Sequence, residues 1–251
     1  IVPSGSPCPV DLTPFLRRYD IAQTVLVQAA PTVAETEYLL QIADAHPGIA
    51  AVTGWVDFRD GAASLRRHAH HPKFRAVRPM LQDITCTRWI LDERCAPTLE
   101  AVEDHGLIFE FLGTPRHLHV ALELAASRPR LSIVLDHAMK PDIAGDGFAA
   151  WAPAMAELAS LPNTVCKLSG LVTEAGPDWT VARLEPYVRH IIEHFGARRV
   201  MWGSDWPVVD LAGGYDAWRA ATHALLDARS EAPDILGGTA RRFYRIQPLS
   251  S

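Results

Sequence analysis

A carboxylate stands at the end of the last apolar run of the chain. Asp205 follows Val200-Met201-Trp202 within the segment Gly203-Ser204-Asp205-Trp206-Pro207, beside two small residues and a proline that restricts the turn. A carboxylate at the end of a strand can bind a metal ion or accept a proton from a metal-bound water. The alternative is that Asp205 only caps the turn that follows. Asp205 is therefore the first candidate for a catalytic and metal-binding residue.

An imidazole follows an earlier apolar run in the same way. His137 comes directly after Leu135 and Asp136, and Lys140 lies three residues further on. A histidine there could bind a metal ion or act as an acid or base. A lone histidine is more often a hydrogen-bonded packing residue, so both interpretations stay open. His137 is the second candidate for the catalytic and metal-binding roles.

Two cationic side chains belong to further apolar runs. Arg78 precedes Pro79, and a guanidinium there could hold a carboxylate or a carbonyl oxygen of a substrate. The alternative for Arg78 is an ion pair with Asp83 or with a neighbouring strand. Lys167 lies inside an apolar run and must find a partner, because burying an unpaired ammonium is costly. It either pairs with a buried carboxylate or contacts the substrate through a Schiff base or an oxyanion.

Neutral and aromatic side chains at the ends of other runs complete the set of substrate-binding candidates. Gln28 offers hydrogen bonds, and Trp55 and Trp206 offer apolar walls that suit an uncharged oxygenated ring. Simple packing explains each of them equally well. The tract His68-Ala69-His70-His71 resembles a ligand cluster, but it ends a predicted helix, so we expect its imidazoles to point outward into solvent.

Seven short apolar runs must position these residues. Helical patterns separate the runs: Thr32 and Glu35 form a capping-box pattern, and Thr114 precedes a proline at a first helical position. Strands that alternate with helices and are apolar throughout predict a parallel sheet buried on both faces. No glycine-rich phosphate loop follows the first run, which disfavours a dinucleotide-binding fold. The runs are 24–27, 50–58, 74–81, 107–112, 131–135, 164–168 and 200–202, and further helices are predicted over 97–105, 148–161, 181–195 and 215–228.

The predicted fold class is α/β, a (β/α)8 TIM barrel in which one strand is missing from the sequence. Seven strands are one short of the eight that close such a barrel. The chain begins with a Pro/Ser/Gly segment over residues 1–9, which is typical of a loop, so the first strand is expected upstream of Ile1. The whole of 1–251 is interpreted as a single domain.

Composition excludes several classes of protein. A formal charge of −5 with dispersed lysines and arginines disfavours a nucleic-acid partner. Four cysteines without a CxxC pair are too few for a disulfide scaffold and suit a reducing, cytoplasmic location. No run reaches the roughly 18 apolar residues of a membrane span, so no membrane partner is expected. The expected partner is a small-molecule substrate, and homo-oligomerisation stays open.

Taken together, the motifs resemble the amidohydrolase superfamily, of the amidohydrolase 2 type, in the branch of sugar-lactone hydrolases that includes L-fuconolactonase and L-rhamnonolactonase. The resemblance implies a (β/α)8 barrel, a divalent metal ion, with zinc the first choice, and hydrolysis of a cyclic ester. It also implies that Asp205 is the acid or base of the last strand, with His137 beside it. The segments that carry it are 25–31, 54–57, 77–83, 134–137, 166–175 and 203–207.

The sequence departs from the family pattern at two places. The family's His-x-His metal pair ends its first strand, and this sequence has no counterpart at a strand end, so those ligands are expected upstream of Ile1. Pro79 stands where some lactonase relatives have a histidine after the arginine, so a ring contact that those relatives make is expected to be missing here.

Three functions follow from these expectations. The first is a metal-dependent hydrolase that opens an aldonolactone or a related cyclic ester with a metal-activated water. The second is a metal-dependent decarboxylase of the same superfamily, in which Arg78 would hold a substrate carboxylate. The third is a barrel without catalysis that binds a small molecule.

Overall fold

Seven parallel strands form one curled sheet in the computed structural model, which describes residues 9–60, 62–227 and 229–248. Each strand pairs with the next along the chain, so the order in the sheet is the order in the sequence. The arrangement is that of the (β/α)8 TIM barrel, as predicted, with seven strands among the described residues. The strands are β1 (Thr24–Val27), β2 (Ile49–Gly54), β3 (Phe74–Val77), β4 (Ile108–Phe111), β5 (Ser132–Leu135), β6 (Thr164–Leu168) and β7 (Val200–Trp202).

Helices follow the strands and cover the outer face of the sheet. Thr32 and Thr180 cap two of them by accepting hydrogen bonds from the backbone N–H groups of Glu35 and Arg183, as N-cap residues do. None of the helices in the described part of the chain is long and apolar enough to cross a membrane. The helices are α1 (Pro9–Arg18), α2 (Val33–Ala45), α3 (Ala63–His68), α4 (Ala96–Asp104), α5 (Leu118–Ser127), α6 (Phe148–Ser160), α7 (Leu171–Glu174), α8 (Val181–Phe195), α9 (Gly214–Leu226) and α10 (Thr239–Phe243).

Several element boundaries differ from the prediction. The run 50–58 leaves the sheet after Gly54, because the backbone N–H of Trp55 donates to the Thr36 hydroxyl at 2.8 Å and no longer to a strand. The short helices α1, α7 and α10 were not predicted. Residues 1–8 of the segment expected to be a loop lie outside the described residues, and Pro9 begins α1.

The prediction that the tract 68–71 points into solvent is wrong for His68. Its side chain is 8% exposed and lies against Phe74, with Nε2 4.0 Å from a Glu37 carboxylate oxygen. The reason is helical spacing, since Ser64, Leu65 and His68 occupy the buried face of α3. Within the rest of the tract, His70 is exposed and His71 is half-buried.

The interior of the curled sheet is built in layers. The lower layer is apolar and surrounds Tyr244, which enters just after α10; its strand residues are Ala51, Ala76, Ile108, Val134, Val165 and Met201. Because side chains alternate along a strand, the residues two positions further on also point inward. Those residues include Thr53, Arg78, Glu110, Asp136 and Lys167, so a polar layer lies directly beneath the carboxyl ends of the strands.

Candidate active site

His137 lies on an unusual turn at the end of β5. The four residues from His137 to Lys140 have φ values of 50° to 61°, which places all of them in the left-handed region. Left-handed helical backbone costs roughly 1–2 kcal/mol per L-residue, and strain of this kind concentrates at functional sites. Hydrogen bonds hold the turn: the Lys140 N–H donates to the His137 carbonyl, and the Trp151 indole donates to the Ala138 carbonyl, both at 2.8 Å.

The His137 imidazole faces Asp205 across a short gap. Nε2 of His137 lies 3.7 Å from Oδ1 of Asp205, and Nδ1 lies 2.9 Å from the Ser169 hydroxyl. Asp205 also has a left-handed backbone, with φ 56°. Gly170 makes the arrangement possible, because a Cβ added there would come within 2.8 Å of His137 Nδ1. The fold therefore brings together the two residues that the sequence predicted as catalytic, and it adds Ser169 behind the imidazole.

Burial sets the charge of this imidazole. Desolvation lowers the pKa of His137 below its ordinary value, although the carboxylates of Asp205 and Asp136 oppose the shift. The ring is therefore neutral at neutral pH, with a free lone pair on one nitrogen. A neutral imidazole beside a carboxylate can accept a proton or bind a metal ion.

A ladder of alternating charges lies beneath this pair. Lys167 Nζ lies 2.6 Å from Glu110 Oε2 and 2.8 Å from Asp136 Oδ1, and Arg78 lies 3.1 Å from Asp136 Oδ2. Glu110 also accepts hydrogen bonds from the Thr53 and Tyr244 hydroxyls. We call Arg78, Asp136, Lys167 and Glu110 the charge ladder.

The ladder keeps Asp136 and Lys167 ionised. Burial disfavours the charged form of Asp136, but the attraction of Lys167 and Arg78 outweighs burial and holds the pKa of Asp136 below its usual range. Burial likewise acts to lower the pKa of Lys167, yet Asp136 and Glu110 raise it overall. Lys167 thus has the buried carboxylate partners that one of the two sequence interpretations required.

The other predicted residues lie around these two groups. Gln28 is fully buried and donates through Nε2 to the Arg78 carbonyl at 2.8 Å, while its Oε1 has no hydrogen-bond partner in the described chain. Arg78 donates in turn to the Gln28 carbonyl. Trp55 and Trp206 are half-buried.

Three members of the site, Glu110, Asp136 and Ser169, were not predicted from the sequence. Glu110 is the single charged residue in the apolar run 107–112, and that isolation is the signal that could have found it. Ser169 lies two residues after Lys167 and shares its inward direction by strand alternation.

The family can now be assigned. A family model described as amidohydrolase matches residues 7–246. The chain belongs to the amidohydrolase family. Its relatives include the L-fucono-1,5-lactonase of Burkholderia ambifaria, 49% identical over 95% of this chain and 85% of that protein. The L-fucono-1,5-lactonase of Burkholderia multivorans is 34% identical over 95% of this chain and 86% of its own length.

A solved amidohydrolase structure shares the fold closely. The crystal structure of an amidohydrolase from Burkholderia multivorans with bound zinc superposes with a TM-score of 0.91, at 33% identity. The match covers 96% of this chain and 89% of that one.

The donors of this amidohydrolase fit a metal ion in part. Two ligands of a tetrahedral zinc ion, each about 2.0–2.2 Å from it, stand roughly 3.3–3.5 Å apart. The 3.7 Å between His137 Nε2 and Asp205 Oδ1 is close to that spacing, and no hydrogen bond joins the two atoms. Over residues 9–60, 62–227 and 229–248, no group of three or more histidines, cysteines or carboxylates could hold an ion. His137 and Asp205 thus fit as two members of a ligand set, without making up a full one.

Proposed function

We propose that this amidohydrolase hydrolyses a sugar lactone, and that L-fucono-1,5-lactone is the first substrate to test. Two relatives with that name, at 49% and 34% identity, support the substrate class. The observation that carries the reaction is the pair His137 and Asp205, held 3.7 Å apart at the carboxyl ends of β5 and β7. In barrels of this kind the carboxyl ends of the strands form the active site.

Hydrolysis of the ring ester consumes one water and involves two proton transfers, one when the water attacks and one when the ring opens. Asp205 accepts a proton from the attacking water, whose oxygen bonds to the lactone carbonyl carbon. When the ring C–O bond breaks, the same proton passes to the leaving alkoxide, and the product is a hydroxy acid. His137, neutral because it is buried, orients the water and Asp205, and Ser169 fixes the plane of its ring.

His137 and Asp205 would also hold a divalent ion as two of its ligands, and zinc is our first choice. Such an ion would polarise the carbonyl and lower the pKa of a bound water. The dependence of the reaction on a metal ion can be tested by removing metal with a chelator and then adding zinc, manganese or cobalt while acid release is followed.

The remaining predicted residues form the floor and walls of the proposed site. Arg78 and Lys167 can offer a substrate only the donors that the ladder leaves over, since their side chains are 11% and 12% exposed. Gln28 keeps an unpartnered carbonyl oxygen that could accept a hydrogen bond from a ring hydroxyl. Trp55 and Trp206 are proposed as apolar walls.

No observation favours the decarboxylase. That reaction would require Arg78 to hold a substrate carboxylate, and the guanidinium already contacts Asp136 and the Gln28 carbonyl.

The proposal is tested by acid release from L-fucono-1,5-lactone in a pH-indicator assay, with the spontaneous rate subtracted. We expect hydrolysis by the wild type and a loss of about 100-fold or more in kcat for Asp205→Asn, as for removal of a positioned general base. A panel of sugar lactones without acid release above the spontaneous rate would rule out the function. Full activity of Asp205→Asn would rule out the role of the carboxylate.

A further inference from the structure

An open ion pair borders the candidate active site. Lys140 ends the left-handed turn that begins at His137, and Glu174 is the last residue of α7, which follows β6. Both therefore belong to segments at the carboxyl ends of the strands, on the same side of the sheet as Asp205. Neither residue has a role in the reaction proposed above.

The two charges face each other without touching. Lys140 Nζ lies 3.9 Å from Glu174 Oε1, which is beyond hydrogen-bonding distance. The side chains are 24% and 28% exposed, and within the described residues neither charged group makes a side-chain hydrogen bond. By contrast, the buried Lys167 reaches its two carboxylates at 2.6 and 2.8 Å. The Lys140–Glu174 pair thus has unused donors on one side and unused acceptors on the other.

The gap matches the size and chemistry of one hydroxyl group. An oxygen about 2.8 Å from both atoms would see them at an angle of roughly 90°, which a hydroxyl group can accommodate. A hydroxyl can donate to the carboxylate and accept from the ammonium at once, whereas an ether or carbonyl oxygen can only accept. Hydrogen bonds to charged partners are also the stronger ones.

Electrostatics connects this pair with the reacting centre. Burial raises the pKa of Glu174, Lys140 opposes that shift, and the nearby carboxylate of Asp205 adds to it. The Glu174 carboxyl is therefore near enough to Asp205 to feel its charge. Lys140 is also joined to His137 through the four-residue left-handed turn, so the pair borders the reacting centre.

We propose that Lys140 and Glu174 bind a ring hydroxyl of the lactone, and that they make the enzyme prefer polyhydroxylated lactones to unsubstituted ones. This inference rests on the proposed function. The recognised ligand is a neutral polyhydroxylated ring, identified by its ability to donate and accept at the same oxygen.

The test compares two lactones on the full chain. Lys140→Met and Glu174→Gln should each raise KM for L-fucono-1,5-lactone about 10-fold or more, because one charged hydrogen bond is lost. The activity on δ-valerolactone, which has the same ring size and no hydroxyl, should stay within about twofold. Arg88→Gln, which removes an exposed ion pair with Glu123, serves as the control and should change neither. Melting curves check that every variant is folded.

A binding measurement separates this inference from the proposed function. 1,5-Anhydro-L-fucitol, a neutral ring that keeps the ring hydroxyls of the lactone and has no ester to hydrolyse, can be titrated calorimetrically into wild type and variants even if no lactone is hydrolysed. A loss of affinity of about 10-fold or more in both variants supports the pair as a hydroxyl site. Equal affinity in wild type and variants, no binding to the wild type, or equal losses on both lactones would overturn it.

Discussion

Replacing Lys167 with methionine should destabilise the protein strongly, because the ammonium links two buried carboxylates. Lys167 contacts Glu110 at 2.6 Å and Asp136 at 2.8 Å, and methionine fills a similar volume without a charge. Removing one partner of a buried ion pair costs about 3–5 kcal/mol. Asp136 keeps Arg78, and Glu110 keeps two hydroxyl donors, so we expect a loss of about 3–4 kcal/mol in the free energy of unfolding at pH 7.5.

The loss should depend on pH in a defined direction. In the wild type the lowered pKa of Asp136 stabilises the fold above its unfolded value of about 3.9, and this stabilisation disappears as the pH falls through the lowered value. Without Lys167, burial of Asp136 is opposed chiefly by Arg78, so we expect the pKa of Asp136 to rise and protonation at mildly acidic pH to relieve the uncompensated charge. The deficit of the variant should therefore shrink between pH 8 and pH 5.

Urea unfolding followed by circular dichroism measures this deficit at each pH. The melting temperature should fall by about 10 °C, because a chain of this size loses about 2–4 °C for each kcal/mol of stability. Arg88→Gln is the control, because its partner Glu123 is half-exposed and the melting temperature should hardly change. A loss below about 1 kcal/mol for Lys167→Met, or a deficit that does not vary with pH, would refute the charge ladder as an ionised network.

Two further substitutions test the groups that position the site. Gly170→Ala should lower both kcat and the free energy of unfolding, because the new Cβ would lie 2.8 Å from His137 Nδ1 and the residue has φ +66°. Gly196→Ala is the control, since Gly196 has φ +68° and no atom within 4 Å of the added Cβ. That variant should lose only about 1–3 kcal/mol to backbone strain and keep full activity. Equal kcat for the two variants would contradict the close contact with His137. Tyr244→Phe should lower the free energy of unfolding by about 1–3 kcal/mol in urea titrations, because the hydroxyl donates to the buried Glu110. An unchanged urea midpoint would show that this hydrogen bond does not stabilise the fold.

The order of strands and helices was determined by the sequence itself. Apolar runs of strand length, separated by capped helices, are local patterns, and a local pattern needs no knowledge of distant residues. They predicted seven strands, and the described part of the chain confirms seven in that order. The six motifs between residues 25 and 207, in combination, indicated the amidohydrolase family, which the family model confirms. The predicted strand 50–58 was too long, because its end after Gly54 depends on one hydrogen bond, from the Trp55 N–H to the Thr36 hydroxyl.

Only the tertiary structure decided which charges meet. Lys167 and Glu110 are separated by 57 residues, and the curl of the sheet brings strands β4 and β6 close enough for a contact of 2.6 Å. The sequence left Lys167 with two interpretations because a buried ammonium needs a partner, and a partner depends on strand register and closure rather than on neighbours in the chain. The left-handed turn at His137 likewise had no sequence signal, since it contains no glycine. The hydrogen bond that the Trp151 indole donates to the Ala138 carbonyl and the space left by Gly170 hold the turn in place.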